Sequence, residues 1–340
     1  MGRLAGPSPT RRLSLGALAV CALALTGCIQ YGGYNPSYSP SVGWNSSTAG
    51  YAAAGGAESD RIAINQCGVD GTWATWATAS YASELTALHD NGQAALIRLD
   101  SCHGPTASGF SSFAADVVQR ASALVPIRAV QVWSEPNFAV QWGGTIDPTG
   151  YARMFKSAYS AVKSAANVPV ISAGLAPVHK HQFSCQYNDS LWMCPHNYLN
   201  KFLSKLKSLH GQLDGVGANL FPRVEDSTIT TDSALANIQS EYNSVDSVDR
   251  KFGPWPIWVT ETGVRTDAIS GEQQGAIMKT YGDWLANQDD LIALYVWMLI
   301  DDNSGNPNYG VLTTSGAPKG GHDGAYCQAA AERGLTPSGC

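Results

Sequence analysis

Short apolar runs alternate with amphipathic segments along most of this chain, and that alternation restricts its fold more than any other feature. Strand candidates recur at Arg61–Asn65, Ala94–Asp100, the run up to Glu135, Val168–Ala173, Leu213–Pro222, Pro256–Gly263 and Leu291–Ile300. Between them lie segments whose apolar residues recur at helical spacing: Tyr81–His89, Phe110–Leu124, Tyr151–Ala165, His196–Leu209, Ser233–Asp246 and Glu272–Asn287. Strands separated by helices predict parallel pairing with crossover helices. No glycine-rich phosphate turn follows the first strand, which argues against an open doubly wound sheet. The expected fold is α/β, a small (β/α)8 TIM barrel. Seven strands are evident. The eighth is expected either before residue 58 or between Asp100 and Phe110.

Two of these strands end alike. In Val130-Gln131-Val132-Trp133-Ser134-Glu135-Pro136-Asn137, an apolar run ends in a carboxylate and proline follows at once. Proline cannot continue a ladder, so Glu135 is expected at the strand's C-terminal tip. Pro256-Ile257-Trp258-Val259-Thr260-Glu261-Thr262-Gly263 repeats the pattern with Glu261. In a (β/α) barrel the C-terminal strand ends carry the active site. Two carboxylates there suit the hydrolysis of a glycosidic bond.

Taken together, the two stretches resemble the retaining glycoside hydrolases of clan A, families 39 and 5 among them. In those enzymes the fourth strand ends Asn-Glu-Pro and the seventh ends in glutamate, often after Thr or Ser. The resemblance spans about residues 60 to 320. It implies that Glu135 is the general acid/base and Glu261 the nucleophile, with carboxyl groups about 5–5.5 Å apart. It implies a substrate-binding role for Arg98 and Asp100, for Asn219 near the sixth strand's end, and for Trp297 as the floor of the sugar subsite. Trp133 stands two residues before Glu135, so strand alternation would turn both to the same side.

Two residues depart from the family pattern. Ser134 stands where the family has the asparagine that holds the sugar 2-hydroxyl, a contact that Asn137 or Asn65 would have to take over. Phe221, in Asn219-Leu220-Phe221-Pro222, stands where a phenol is expected. These departures leave a second reading open, a lipid-anchored carbohydrate-binding or scaffold protein on a degenerate barrel. His179 and His181 after the fifth strand, and Asp301, Asp302 and Asn303 after the eighth, are further candidates to line the cleft or cap its loops.

The start of the chain reads as a targeting segment. Arg11 and Arg12 precede the apolar run Leu13–Leu25, which is too short to span a bilayer as a stable helix. Leu25-Thr26-Gly27-Cys28 resembles a bacterial lipobox, which implies cleavage before Cys28 and lipidation of its thiol. Residues 1–27 are then a lipoprotein signal peptide. Residues 28–57, Gly-, Ser-, Tyr- and Pro-rich, form a tether, and residues 58–340 form the barrel domain. The protein is expected to be exported and anchored to the outer face of the bacterial cell membrane, with a polysaccharide or oligosaccharide as its partner.

The remaining cysteines suit that compartment. Local pairing, the simplest arrangement, would join Cys67 to Cys102, Cys185 to Cys194 and Cys327 to Cys340. With no CxxC pair and no HExxH motif, neither a metal nor a cofactor is expected. A net charge of −6 with only 14% charged residues lacks the basic footprint of nucleic-acid binding. Cys28→Ser should release the protein from the membrane fraction while leaving it catalytically competent. Fractionation and immunoblotting test this, and undiminished membrane association of the variant would refute it.

Overall fold

The computed structural model describes residues 31–32, 53, 57–66, 80–101, 109–177, 191–224, 227–301 and 308–340. These contain eight strands: β1 (Tyr31–Gly32), β2 (Ser59–Asn65), β3 (Ala94–Asp100), β4 (Ile127–Val132), β5 (Val170–Ile171), β6 (Val216–Leu220), β7 (Ile257–Thr262) and β8 (Leu291–Val296). Every ladder between them is parallel. One run is β2-β3-β4-β5 and the other β1-β8-β7-β6. Ile171 bridges Gly215 in parallel, joining the two runs between β5 and β6. On the opposite side β1 lies against β2. This is the strand order of a (β/α)8 barrel.

The missing strand therefore comes from the segment before residue 58. Tyr31 pairs with Leu294 and Gly32 with Tyr295. The stretch is only two residues long and has no apolar run, so nothing in its periodicity marks it. Part of the stretch read as a tether is thus a barrel strand.

The helices are α1 (Ser80–Asp90), α2 (Phe110–Ala121), α3 (Ala139–Trp142), α4 (Pro148–Ala165), α5 (Pro195–Ser208), α6 (Thr231–Phe252), α7 (Gly271–Leu285) and α8 (Ala325–Glu332). The starts of α4, α6 and α7 are set by caps. Asp147 accepts from the Thr149 N–H ahead of α4, with Pro148 in the first turn, and Thr230/Ser233 and Ser270/Gln273 form capping boxes at α6 and α7. The apolar stripe alone places the start of α4 at Tyr151, because cap residues carry no stripe; α6 runs past the expected Asp246 to Phe252, with Val248 and Phe252 continuing its apolar side. The eighth strand stops at Val296, short of the expected Ile300.

Strand alternation builds two interiors. Outward-facing Ile62, Ile64, Ile97, Leu99, Val130 and Val132 pack against Phe110, Phe155, Phe202 and other apolar residues of the helices. Each such buried side chain contributes about 1.5–3 kcal/mol relative to exposure. Inward-facing Leu96, Ala129, Ile171, Trp258, Ala293 and Tyr295 fill the barrel itself. The inward positions Arg61 and Gln131 are also fully buried, so the barrel interior becomes polar towards its C-terminal end.

Cys327 and Cys340 are disulfide-bonded with Cα atoms 5.4 Å apart, tying the tail to α8. Cys194 is also disulfide-bonded. Cys28, Cys67, Cys102 and Cys185 lie outside the described residues. Among the described residues no helix is long and apolar enough to cross a membrane.

A chain shortened to begin after Gly32 loses β1 and leaves one side of β8 unpaired. Unpaired strand edges invite association. The shortened chain should melt at a lower temperature and aggregate with rising concentration, as read by thermal unfolding and light scattering. Unchanged melting and a monodisperse sample would show that β1 is dispensable.

Candidate active site

Glu135 and Glu261 both stand at the C-terminal end of the barrel, one just past β4 and the other within the last residues of β7. The chain reaches Glu135 by leaving the strand early. β4 stops at Val132, and Trp133 and Glu135 have positive φ angles of 72° and 47°. Non-glycine residues there cost about 1–3 kcal/mol each, so the surroundings must hold them. The Trp133 N–H donates to the Leu99 carbonyl and the Glu135 N–H to the Gly174 carbonyl, both at 2.9 Å. Gly174 has to be glycine. A Cβ there would lie 2.0 Å from Asn219 Oδ1 and 2.3 Å from Thr260 Oγ1.

Those two residues orient the carboxyl group of Glu135. Thr260 Oγ1 donates to Asn219 Oδ1 at 2.8 Å, and Asn219 Nδ2 donates to Glu135 Oε1 at 3.1 Å. The threonine hydroxyl fixes which way the amide points. Burial, and then the charge of Glu261, push Glu135 up to about 7. A carboxyl group so raised keeps its proton near neutrality and can donate it.

Glu261 has different neighbours. Arg61 Nη1 is 2.8 Å from its Oε1, and Arg98 Nη1 is 3.7 Å from the same oxygen. Arg98 Nε also pairs with Asp100 at 2.7 Å. Burial disfavours the Arg98 charge, but Asp100 and Glu261 outweigh it and hold Arg98 above its ordinary value. Two guanidinium groups thus bear on one glutamate, while a neutral amide contacts the other. That asymmetry is what a proton donor and an anionic nucleophile require.

The remaining expectations divide. Trp297, half-buried at the tip of β8, donates its N–H to the Thr262 carbonyl at 2.6 Å, beside Glu261. Its peptide bond to Met298 is cis. A Cβ on Gly263 would come within 1.9 Å of the Trp297 carbonyl oxygen, so the glycine after the Glu261 strand lets the two tips close up. Asn65 pairs in register with Asp100 at the tips of β2 and β3. Asn219 contacts Glu135 and so steadies its carboxyl group.

Three expectations need correction. Trp133 does not share Glu135's side. The left-handed backbone breaks the strand alternation, and its ring is buried against Phe110 and Trp142 with Nε1 donating to the Gln141 carbonyl. Asn137 is fully buried, its amide bonded to Ala176 N–H and to the Ala176 and Met193 carbonyls, so it braces loops and does not replace the family asparagine. Asp100 pairs through Oδ2 with Arg98 Nε at 2.7 Å, so at least one of its oxygens is engaged by the arginine. Asp301 accepts from the Gly310 N–H and pairs with Lys319 at 2.6 Å, the loop-capping alternative. His179, His181, Asp302 and Asn303 lie outside the described residues. Phe221 packs edge-on against Tyr309.

Arg61, Gln131 and Thr260 escaped the sequence reading. The available signal was charge: an arginine among Ile and Ala in a central strand is costly to bury without a partner. Among the described residues no cluster of His, Cys, Asp or Glu is arranged to hold a metal ion.

Replacing Glu261 by Gln removes the like charge facing Glu135, so the Glu135 titration should move to lower pH. Carboxyl ¹³C NMR of the two proteins reads the shift directly. Coincident titration curves would mean that the two carboxyl groups do not sense each other.

The family model for the glycosyl hydrolase catalytic core matches residues 89–320. A sequence comparison with curated proteins finds no match. Among solved structures, this chain is similar to a family 39 glycoside hydrolase from Bacteroides cellulosilyticus WH2. The identity is 15% and the TM-score 0.60, with 90% of this chain covered but only 64% of that one. It is similar to a monomeric β-xylosidase from Caulobacter crescentus CB15 at 12% identity and TM-score 0.64, covering 91% and 68% of the two chains. It is also similar to a GH128 endo-β-1,3-glucanase from Amycolatopsis mediterranei at 13% identity and TM-score 0.55, covering 90% and 99%. These likenesses share the barrel fold, and the family match extends over most of the described strands and both strand-end glutamates: the chain belongs to the glycosyl hydrolase catalytic core family.

Proposed function

We propose that this protein is a retaining glycosidase that cleaves O-glycosidic bonds of an extracellular or cell-envelope glycan by double displacement. The carrying observation is the unequal environment of two glutamates at the tips of β4 and β7, one raised towards neutrality and one ion-paired with two arginines. In the first step a Glu261 carboxylate oxygen attacks the anomeric carbon. The bond to the leaving oxygen breaks as Glu135 gives that oxygen its proton. In the second step water attacks the same carbon, Glu135 takes the water's proton, and the Glu261 carboxylate departs. In this reading Trp297, which follows β8, floors the sugar subsite.

The lipobox resemblance at Cys28 supports an exported, lipid-anchored protein. Cys28 stands three residues before Tyr31, and an extended residue spans about 3.3 Å. The anchor would therefore sit near the N-terminal end of the strands, and the catalytic end would face away from the bilayer. The tether in this reading is short, and the enzyme would act on polymer presented at the surface.

Purified protein should be assayed on aryl xylosides, glucosides and arabinosides, and on xylan and β-1,3-glucan. Glu261→Ala should abolish activity on every substrate cleaved. Glu135→Ala should lose about 10²–10⁴-fold on the natural glycan and far less on an aryl glycoside with a good leaving group. A covalent adduct on Glu261 should accumulate in that variant. Equal losses on both substrate types with no adduct would overturn the roles. Full activity of both variants would remove these two glutamates from the mechanism, and no cleavage of any substrate would favour the carbohydrate-binding reading that the Ser134 and Phe221 departures leave open.

The wild-type kcat/KM should fall as pH rises through about 7, because Glu135 then loses the proton it must donate. A profile flat from pH 6 to 9 would contradict that assignment.

A further inference from the structure

Charge is spread unevenly over the outer helices. α4 and α5 together hold six of the chain's 21 basic residues and none of its 27 acidic ones. The six are Arg153, Lys156, Lys163, Lys201, Lys205 and Lys207. By contrast, α1, α2, α6, α7 and α8 each carry at least one acid. The helix macrodipole favours cations in a last turn, which covers Lys163, Lys205 and Lys207. It does not cover Arg153, Lys156 and Lys201, and it favours acids in the first turns, where both helices have none.

The two helices pack side by side, with Phe202 of α5 against Tyr151 and Phe155 of α4, so their cations share one region of surface. Lys156 donates to the Leu209 carbonyl beyond the end of α5 at 2.7 Å. Lys251, near the end of α6, donates to Asn200 Oδ1 on α5 at 2.7 Å. The nearby acid Asp214 is already met, by Lys163 at 2.7 Å and by the Tyr159 hydroxyl and the Val170 N–H. Among the described residues Lys156, Lys201, Lys205 and Lys207 pair with no carboxylate. Beside them opens a cleft of about 280 Å³ lined in part by Lys156, Lys163 and His210. Lys163 donates to the Val168 carbonyl just before β5, so this corner lies at the end of the barrel opposite Glu135 and Glu261. β5 stands four strands from β1 whichever way the ring is followed.

We propose that the α4–α5 face docks on anionic phospholipid and is a second point of membrane contact, across the end of the barrel from the lipid at Cys28. The inference rests on the anchoring reading given above, in which that lipid sits beside β1. A single attachment point leaves the barrel free to tilt. A second contact on the far side of the same end holds that end against the bilayer and the two glutamates away from it. A lipid chain combined with a polybasic patch holds a protein on a membrane more firmly than the chain alone. Each lysine near an anionic surface strengthens binding about fivefold. The chain as a whole carries a net charge of −6, so its other faces are repelled by the surface that attracts this one. At physiological ionic strength the Debye length is about 8 Å, and screening leaves the face too weak to hold the chain by itself. It orients the lipid-anchored protein more than it retains it.

The test uses residues 28–340 carrying Cys28→Ser, which keep every strand of the barrel and lack the lipid. In low salt this chain should co-sediment with vesicles of phosphatidylglycerol and phosphatidylcholine, and not with phosphatidylcholine alone. About 1 M salt, where the Debye length is about 3 Å, should release it. Lys201→Gln, Lys205→Gln and Lys207→Gln combined should weaken vesicle binding about a hundredfold. The same three positions changed to Arg should bind as the parent does, and so should Lys279→Gln on α7. If the triple Gln variant does not fold, the exposed pair Lys201→Gln and Lys207→Gln takes its place, with an expected loss of about 25-fold. No binding of the parent chain to anionic vesicles in low salt would overturn the proposal. Equal losses in the Gln and Arg variants, or an equal loss in Lys279→Gln, would overturn it too. Retention on immobilised polyphosphate without vesicle binding would assign the face to a phosphate polymer and not to a membrane. The assay needs neither a lipid on Cys28 nor catalysis. Vesicle binding here, alongside undiminished membrane association of Cys28→Ser in cells, would keep the docking face and remove the lipid from the anchoring reading.

Discussion

The ion pair between Arg61 and Glu261 is the contact on which the active end of this barrel depends. Both partners come from strands, β2 and β7, nearly opposite in sequence, and the arginine is fully buried. Breaking such a pair by removing one partner typically costs about 3–5 kcal/mol, because the other charge is left uncompensated. The interior below is apolar, with Leu96, Ile171, Trp258 and Tyr295 filling the barrel. At the C-terminal end Glu261 and Gln131 meet the Arg61 guanidinium, and Asp100 and Glu261 meet that of Arg98. Burial pushes Arg61 down to about 10, which leaves it cationic at neutral pH. The pair therefore sets both the packing of the upper barrel and its electrostatics.

Preorganisation follows from backbone geometry as much as from side chains. The left-handed residues at Trp133 and Glu135 are held by carbonyls from the β3 and β5 ends. Gly174 lets Asn219 and Thr260 come close enough to support the Glu135 carboxyl group, and Gly263 lets the Trp297 segment close over the end of β7. Because these elements come from the ends of β3 to β8, the fold itself holds the two carboxyl groups in place. Fixed dipoles and charges of this kind require no reorganisation during reaction.

The departures from the family pattern now have structural surroundings. Ser134 is buried and Asn137 is wholly committed to loop backbone, so the family's usual 2-hydroxyl contact has no replacement in that segment. Phe221 turns its ring to Tyr309. This end of the barrel therefore differs from the family pattern of asparagine and a phenol at these places. The Glu135–Asn219–Thr260 and Glu261–Arg61–Gln131 arrangements supply polar contacts of their own.

The sequence by itself determined the alternation of strands and helices, the barrel it implies, and the two glutamates at strand ends, because periodicity and proline placement are local signals. It also marked Arg98 and Trp297 by their positions at strand tips, and the Cys327–Cys340 bond by proximity in the chain. Only the tertiary structure decided where β1 comes from, since a two-residue strand has no period to detect. It alone separated Trp133 and Asn137 from the site, because backbone turns and burial redirect side chains that strand alternation would aim inward. Arg61 and Gln131 became visible only when 200 residues of intervening chain brought Arg61 to Glu261, for the cost of burying a charge is met by partners that sequence distance conceals.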